Sequence, residues 1–156
     1  ERTDMLKSIE NAGLDLHIFG NNLDGWKAQG FKNVHPPAFD EELSKVVSQS
    51  KIIVGISNII CAGYWSIRPA QVMLCAGFMI DRYVPGMELF LREGAEYFSS
   101  IDEAIQKIAY YLEHQDERDA IAKRGYEIGR DRFTSEARVK ELMILIERFK
   151  KGAFLR

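Results

Sequence analysis

The chain has 156 residues, 46% of them apolar and 28% charged, and a formal net charge of −2. That length suits one domain with a core that needs no disulfide or metal staple. The slightly acidic balance excludes nucleic-acid binding through bulk basicity, and no apolar run approaches the ~20 residues a membrane-spanning helix needs.

Residues 2–12 predict a helix with Met5, Leu6 and Ile9 on one face and Gly13 ending it. The helix reads as already under way at Glu1, so a piece of a longer polypeptide is expected. Residues 14–19 alternate and then run apolar, a short strand closed by Gly20-Asn21-Asn22. An irregular stretch with Gly25, Trp26 and Gly30 follows, then a second strand over 31–35 stopped by Pro36-Pro37. Asp40 is the expected cap of a helix over 41–50, with Leu43, Val46 and Val47 inward. Residues 51–56 are a continuous β-branched run, the pattern of a strand buried on both faces of a parallel sheet.

Residues 57–66 form a loop, and 67–76 a helix with Pro69 in its first turn and Gly77 after its end. Another buried strand begins at 78–80, Pro85-Gly86 breaks the chain, and a short helix over 87–92 precedes a short strand over 95–98. Ser100-x-x-Glu103 is a capping box for a helix running to about His114, striped by Ile101, Ile105, Ile108 and Leu112. Asp116 is expected to cap the next helix, with Ile121 and Ile128 inward. Thr134 is expected to cap the last, which carries Val139, Leu142, Met143, Ile146 and Phe149. Strands alternate with helices and helices accumulate at the end. This order predicts an α/β fold: a Rossmann-like parallel sheet with helices on both faces and a helical C-terminal end.

In such a sheet ligands bind outside the carboxyl ends of the strands. The loops after the expected strands, at 20–26, 35–39, 57–68 and 81–88, should converge there. Arg68 lies in the first turn of the helix after the third strand, where a guanidinium can clamp a diphosphate at two points and helix-start N–H groups favour an anion. Ser66 is the expected cap of that helix. Gln71 lies one turn on, where its amide can reach ribose hydroxyls. Trp26, Tyr64, Trp65 and Tyr83 are each read first as packing residues and second as stacking platforms. Asp81 and Glu88 flank the last loop, where surface salt bridges explain such acids as well as a role in a site does. Cys61 and Cys75 fit no zinc or redox spacing and are expected as buried thiols. His17, His35 and His114 form no ligand pair, and neither a metal nor a cofactor is expected. The absence of a signal-peptide pattern makes a reducing, cytoplasmic setting the expectation.

Residues 66–142 carry a linked series of motifs: Ser66-x-Arg68, Cys75-x-Gly77 with apolar residues after it, Pro85-Gly86, and Glu88 to Phe90. Tyr110 to Leu112, Glu117-Arg118, Ile121-Ala122 and Gly125 complete it. The series resembles the C-terminal, donor-binding module of CgeB-like, group 1 glycosyltransferases. Ala12-Gly13 before a strand ending in Phe19-Gly20, and Ser50-Lys51-Ile52, fit the same likeness, so it covers nearly the whole chain. The resemblance implies a GT-B enzyme, two Rossmann-like domains facing a cleft. Residues 1–156 would be one nucleotide-sugar-binding domain whose activity needs an N-terminal partner domain.

By the same likeness the donor is a nucleotide diphosphate sugar, UDP-linked, and the reaction is hexosyl transfer to an acceptor that the residues do not identify. Arg68 is then the catalytic group, with Ser66 beside it and Gln71 in place of the usual ribose-binding acid. Gly20, Asn21 and Asn58 would border the phosphates and sugar, with Tyr83 and Gly86 close by and His35 among the base contacts. Retaining members commonly carry two acids eight positions apart, where this chain has Gly63 and Gln71. That departure supports an alternative, a non-catalytic nucleotide-binding or scaffold module of the same fold. A receiver-type regulatory domain fits less well, because Gly20-Asn21-Asn22 supplies no acidic cluster.

Overall fold

Short strands and helices alternate through residues 2–56 and 61–151, the part of the chain that this computed structural model describes. The order is α1 (Arg2–Asn11), β1 (His17–Phe19), α2 (Leu23–Ala28), β2 (Asn33–His35), α3 (Asp40–Gln49), β3 (Ile53–Gly55) and α4 (Arg68–Leu74). There follow β4 (Met79–Arg82), α5 (Met87–Leu91), a 3-10 turn (Arg92–Gly94), β5 (Glu96–Phe98), α6 (Ile101–Glu113), α7 (Gln115–Arg132) and α8 (Ser135–Lys150). Every recorded strand pairing is parallel: β1 with β2, and β3 with β4 with β5.

Alternate residues of a strand face opposite ways, and here both faces are covered. Ile80 packs with Met5, Leu6 and Ile9 of α1 and with Ala104, Ile108 and Tyr111 of α6. Met79, one residue earlier, packs with Val47 of α3 and Val72 of α4. Val84, Met87, Leu91 and Met73 form a third cluster, with Tyr97 and Trp65 against it. Each large aliphatic side chain so buried contributes about 1.5–3 kcal/mol. The molecule is thus a Rossmann-like α/β fold with helices flanking parallel strands, as the sequence predicts.

The strands form two hydrogen-bonded pieces rather than one ladder. They are only three or four residues long, and side chains join the pieces: Ile18, Val34, Val54 and Ile80 belong to one cluster. Arg2, at the start of α1, donates to the carbonyl of Ile56 just beyond β3 at 3.0 Å. This bond ties the start of α1 to the chain just beyond the carboxyl end of β3.

Helix ends follow local chemistry. Ser100 Oγ accepts the Glu103 N–H at 3.2 Å while Glu103 Oε2 accepts that of Ser99 at 2.8 Å, closing the expected box. Thr134 Oγ1 caps α8 through the Ala137 N–H at 3.2 Å. Three expected caps are absent. Helix α3 begins on Asp40 itself after Phe39, α7 on Gln115 before Asp116, and α4 follows Ile67 rather than Ser66, none with a side-chain cap bond. Asp40, Glu41, Glu42, Asp116 and Glu117 instead place their charge in the first turns, where the helix dipole favours it.

Helix α4 ends in a Schellman pair, Ala76 N–H to Met73 O at 3.0 Å and Gly77 N–H to Val72 O at 3.0 Å. The left-handed residue is Ala76, at φ 55°, and not Gly77. Gly77 answers to packing, since a Cβ there would lie 2.3 Å from Val47. The stretch read as irregular holds α2, whose six residues bury no side chain. The apolar stripe of α8 lies in the open: Val139, Leu142, Met143, Ile146 and Phe149 are all exposed.

Candidate functional site

The carboxyl edge of β3 and β4 gathers most of the chemistry. The Gly63 N–H donates to Pro85 O at 2.8 Å, so the loops after these two strands are tied together, with Gly86 against Gly63. A side chain on Gly86, at φ 97°, would meet Gly63 backbone atoms within 3.6 Å. Glu88 Oε2 accepts the Gly86 N–H at 3.0 Å and fixes the turn. Tyr83 donates its backbone N–H to Phe98 O and leaves its ring at the surface. Loss of solvation, and then the charge of Glu88 and a hydrogen bond to it, raise the Tyr83 phenol.

Arg68 is the first residue of α4 and is exposed, whereas Pro69 and Ala70 beside it are buried. Gln71, one turn on, is also exposed, and Ser66 is half-buried. Helix α4 has only seven residues, with proline next to Arg68. The anion-holding capacity here therefore lies with the guanidinium rather than with helix-start N–H groups. Asn58 lies outside the described residues.

A second group sits at the ends of β1 and β2. The Gly20 N–H donates to His35 O at 3.2 Å, and Asn21 O accepts the Trp26 indole N–H at 3.1 Å. The His35 ring is engaged on the open face of these strands, stacked on Phe19 at 4.6 Å and on His17 at 5.0 Å. His17 Nδ1 and His35 Nε2 are 2.9 Å apart. The two histidines that the sequence leaves scattered are thus a hydrogen-bonded pair. Among the described residues no group of three or more His, Cys, Asp or Glu is placed to hold a metal. Trp26 packs edge-on to Phe31, and Trp65 lies between Phe90 and Phe133, so both are packing residues. Cys61 is exposed and Cys75 half-buried, against the expectation of buried thiols; both are free. Two open grooves lie away from the edge. One, of about 570 Å³, runs between α7 and α8 past Arg130 and Arg148, and one of about 500 Å³ passes Ser44 and Cys75.

For Asp81 the structure decides between the two readings left open, because it is not a surface acid. It is 4% exposed, at the carboxyl end of β4 and on the face that Met79 shares with α4. Burial pushes its carboxyl up to about 6, against the pull of the Arg82 N–H and of the Arg68 charge. The sequence signal was available: an acid that ends an apolar strand in an open α/β sheet stands where ligands bind. Across the ladder is Tyr97, whose buried hydroxyl has no hydrogen-bond partner among the described residues.

A family model described as glycosyl transferase-like matches residues 2–144. Searches among curated proteins and among solved structures return no match.

Proposed function

We propose that this chain, which belongs to the glycosyl transferase-like family, is the donor-binding domain of a GT-B enzyme of the CgeB-like, group 1 kind. Family membership carries sugar transfer, and a sugar donor with it. The finer reading is a nucleotide diphosphate sugar, UDP-linked, held at the carboxyl edge of β3 and β4, with its hexosyl group passing to an acceptor bound elsewhere.

One observation carries it: Arg68 is an exposed guanidinium at that edge, and its charge reaches the buried end of β4 at Asp81. A planar cation in that position suits two-point contact with a diphosphate. As the bond to the sugar breaks, negative charge grows on the leaving diphosphate. Arg68 lowers the barrier by being in place before that charge appears. The residues proposed to hold the donor are Gly20, Asn21, His35, Asn58, Ser66, Gln71, Tyr83 and Gly86 with Arg68. No bound metal is called for in this scheme.

The exposed apolar stripe of α8 supports a further part of the reading, that an N-terminal GT-B domain packs on this one and supplies the remaining catalytic groups. Free thiols at Cys61 and Cys75 suit a cytoplasmic setting.

A second reading is favoured by Gln71 and Gly63, which stand where the resemblance leads one to expect acids. A binding-only module would hold the nucleotide sugar and not cleave it. UDP release from UDP-sugars by the intact protein, followed with binding measured in parallel, separates the two. Binding with release supports the transferase, and binding without release supports the module. Neither binding nor release, over a panel of UDP-, GDP-, dTDP- and ADP-linked sugars, contradicts both.

A further inference from the structure

One face of the β1–β2 pair is open. Ile18 turns into the core, while His17 and Phe19 on either side of it are exposed. The register sets Asn33 opposite His17 and His35 opposite Phe19, so these four share the open face. Asp15 reaches them from just before β1. Asn33 Nδ2 donates to Asp15 Oδ1 at 3.4 Å, and that oxygen lies 3.3 Å from His17 Nε2. His17 Nδ1 and His35 Nε2 are 2.9 Å apart. The Phe19 ring rests against that of His35 at 4.6 Å and 20°.

This row of contacts decides where the protons sit. Only one hydrogen fits between the two rings, so one nitrogen donates and the other accepts. The Asp15 carboxylate beside Nε2 of His17 favours a proton there, since the partner of one ring nitrogen sets the state of the other. Nδ1 of neutral His17 is then a lone pair, and Nε2 of His35 carries the bridging hydrogen. That leaves Nδ1 of neutral His35 as a bare acceptor. It has no hydrogen-bond partner among the described residues and is not closed off from solvent. His35 is the last residue of β2, on the side of the sheet where ligands bind.

We propose that His35 selects the nucleobase of the donor, and that His17 is its positioning residue, holding the His35 proton on Nε2. This rests on the reading that a nucleotide sugar is bound here with His35 among its contacts. A bare Nδ1 pairs with a base whose ring edge carries an N–H, as N3–H of uracil does. Cytosine has the same outline but a lone pair at N3, so two acceptors meet and neither is satisfied. The discrimination comes from unpaired polar atoms and not from size. Without His17, the His35 proton is able to move to Nδ1 and serve cytosine.

Calorimetry of UDP-glucose and CDP-glucose binding to the intact protein at pH 8, where an imidazole is ordinarily neutral, reads the selection. Leaving polar groups unpaired at a half-buried ring should favour UDP-glucose by about 5- to 30-fold. His17→Phe keeps a ring and removes the acceptor. It should bring the two affinities to within about threefold, chiefly by strengthening CDP-glucose. Equal or reversed affinities in the wild type overturn the inference and leave the donor site standing. So does a preference unchanged in His17→Phe, or a variant that weakens both sugars alike, which would make His17 merely structural. No binding of either sugar overturns the UDP reading and the inference with it. Imidazole nitrogen NMR of the wild type at the same pH needs no variant to fold. It should show a bare Nδ1 in both His17 and His35, and a proton on Nδ1 of His35 overturns the inference.

Discussion

Replacing Asp81 with asparagine should make the protein less sensitive to pH, because it removes a carboxyl that the fold holds at about 6 against an ordinary 3.8. A group whose pKa is raised on folding binds its proton more tightly in the native state than in the unfolded chain. Its contribution to stability is therefore complete below about pH 4 and is lost as pH rises through 6. The full shift corresponds to roughly 3 kcal/mol at 1.36 kcal/mol per unit. About 2 kcal/mol of that is lost between pH 4.5 and 8. Asparagine matches the shape, keeps an oxygen for the Arg82 N–H, and carries no such slope. Urea unfolding of both proteins at pH 4.5, 5.5, 6.5 and 8 gives the comparison. The variant should gain on the wild type by about 2 kcal/mol across that range, most of it between pH 5 and 7. A constant difference, or one that shrinks as pH rises, would show that Asp81 is neither buried nor desolvated as described.

Ala76→Gly should stabilise the protein by about 0.5–1 kcal/mol, because the left-handed turn after α4 penalises a Cβ by more than glycine adds to the entropy of the unfolded chain. A thermal melt that moves down would contradict the Schellman geometry. Gly125→Ala should destabilise by about 2–3 kcal/mol, since overpacking against rigid groups costs this much. Its Cβ would lie 2.7 Å from the Gly94 carbonyl oxygen, a backbone atom that cannot swing aside. Chemical denaturation reads this directly, and an unchanged midpoint would mean that α7 and the 3-10 turn are not in contact.

The fold was readable in the sequence where periodicity and burial coincide. Residues 52–54 and 78–80 are uniformly apolar because helices cover both faces of their strands. The α6 stripe of Ile101, Ile105, Ile108 and Leu112 repeats at helical spacing because one side meets the sheet. Legibility failed where a tertiary neighbour decides. Gly77 looked like the turn residue of α4, yet Val47, thirty residues earlier, is what demands a glycine there, and Ala76 carries the left-handed conformation. Asp40 and Asp116 have cap chemistry but stand as the first residue of α3 and the second of α7. No side chain of α2 is fully buried and Trp26 alone packs on the core, so no stripe announces it. The α8 stripe was legible as apolar, whereas its exposure depends on what lies next to it.

The site divides the same way. Arg68 was picked out by its place in the chain, after a buried strand and at a helix start. His35 enters through a resemblance, and nothing in the chain order announces that its ring pairs with His17. For Asp81 a surface ion pair and a site role fit the chain position equally well, and only its burial beside Gly55 and Tyr97 on the ladder decides that it lies inside.

Arg68→Ala, titrated calorimetrically with UDP and UDP-glucose beside the wild type at pH 7, tests the grip on the donor most directly. A hydrogen-bonded contact to a charged group contributes about 1.5–3 kcal/mol, so affinity should fall roughly 10- to 100-fold while the melting temperature stays within a few degrees. Equal affinity in the two folded proteins would remove Arg68 from the site and contradict the account.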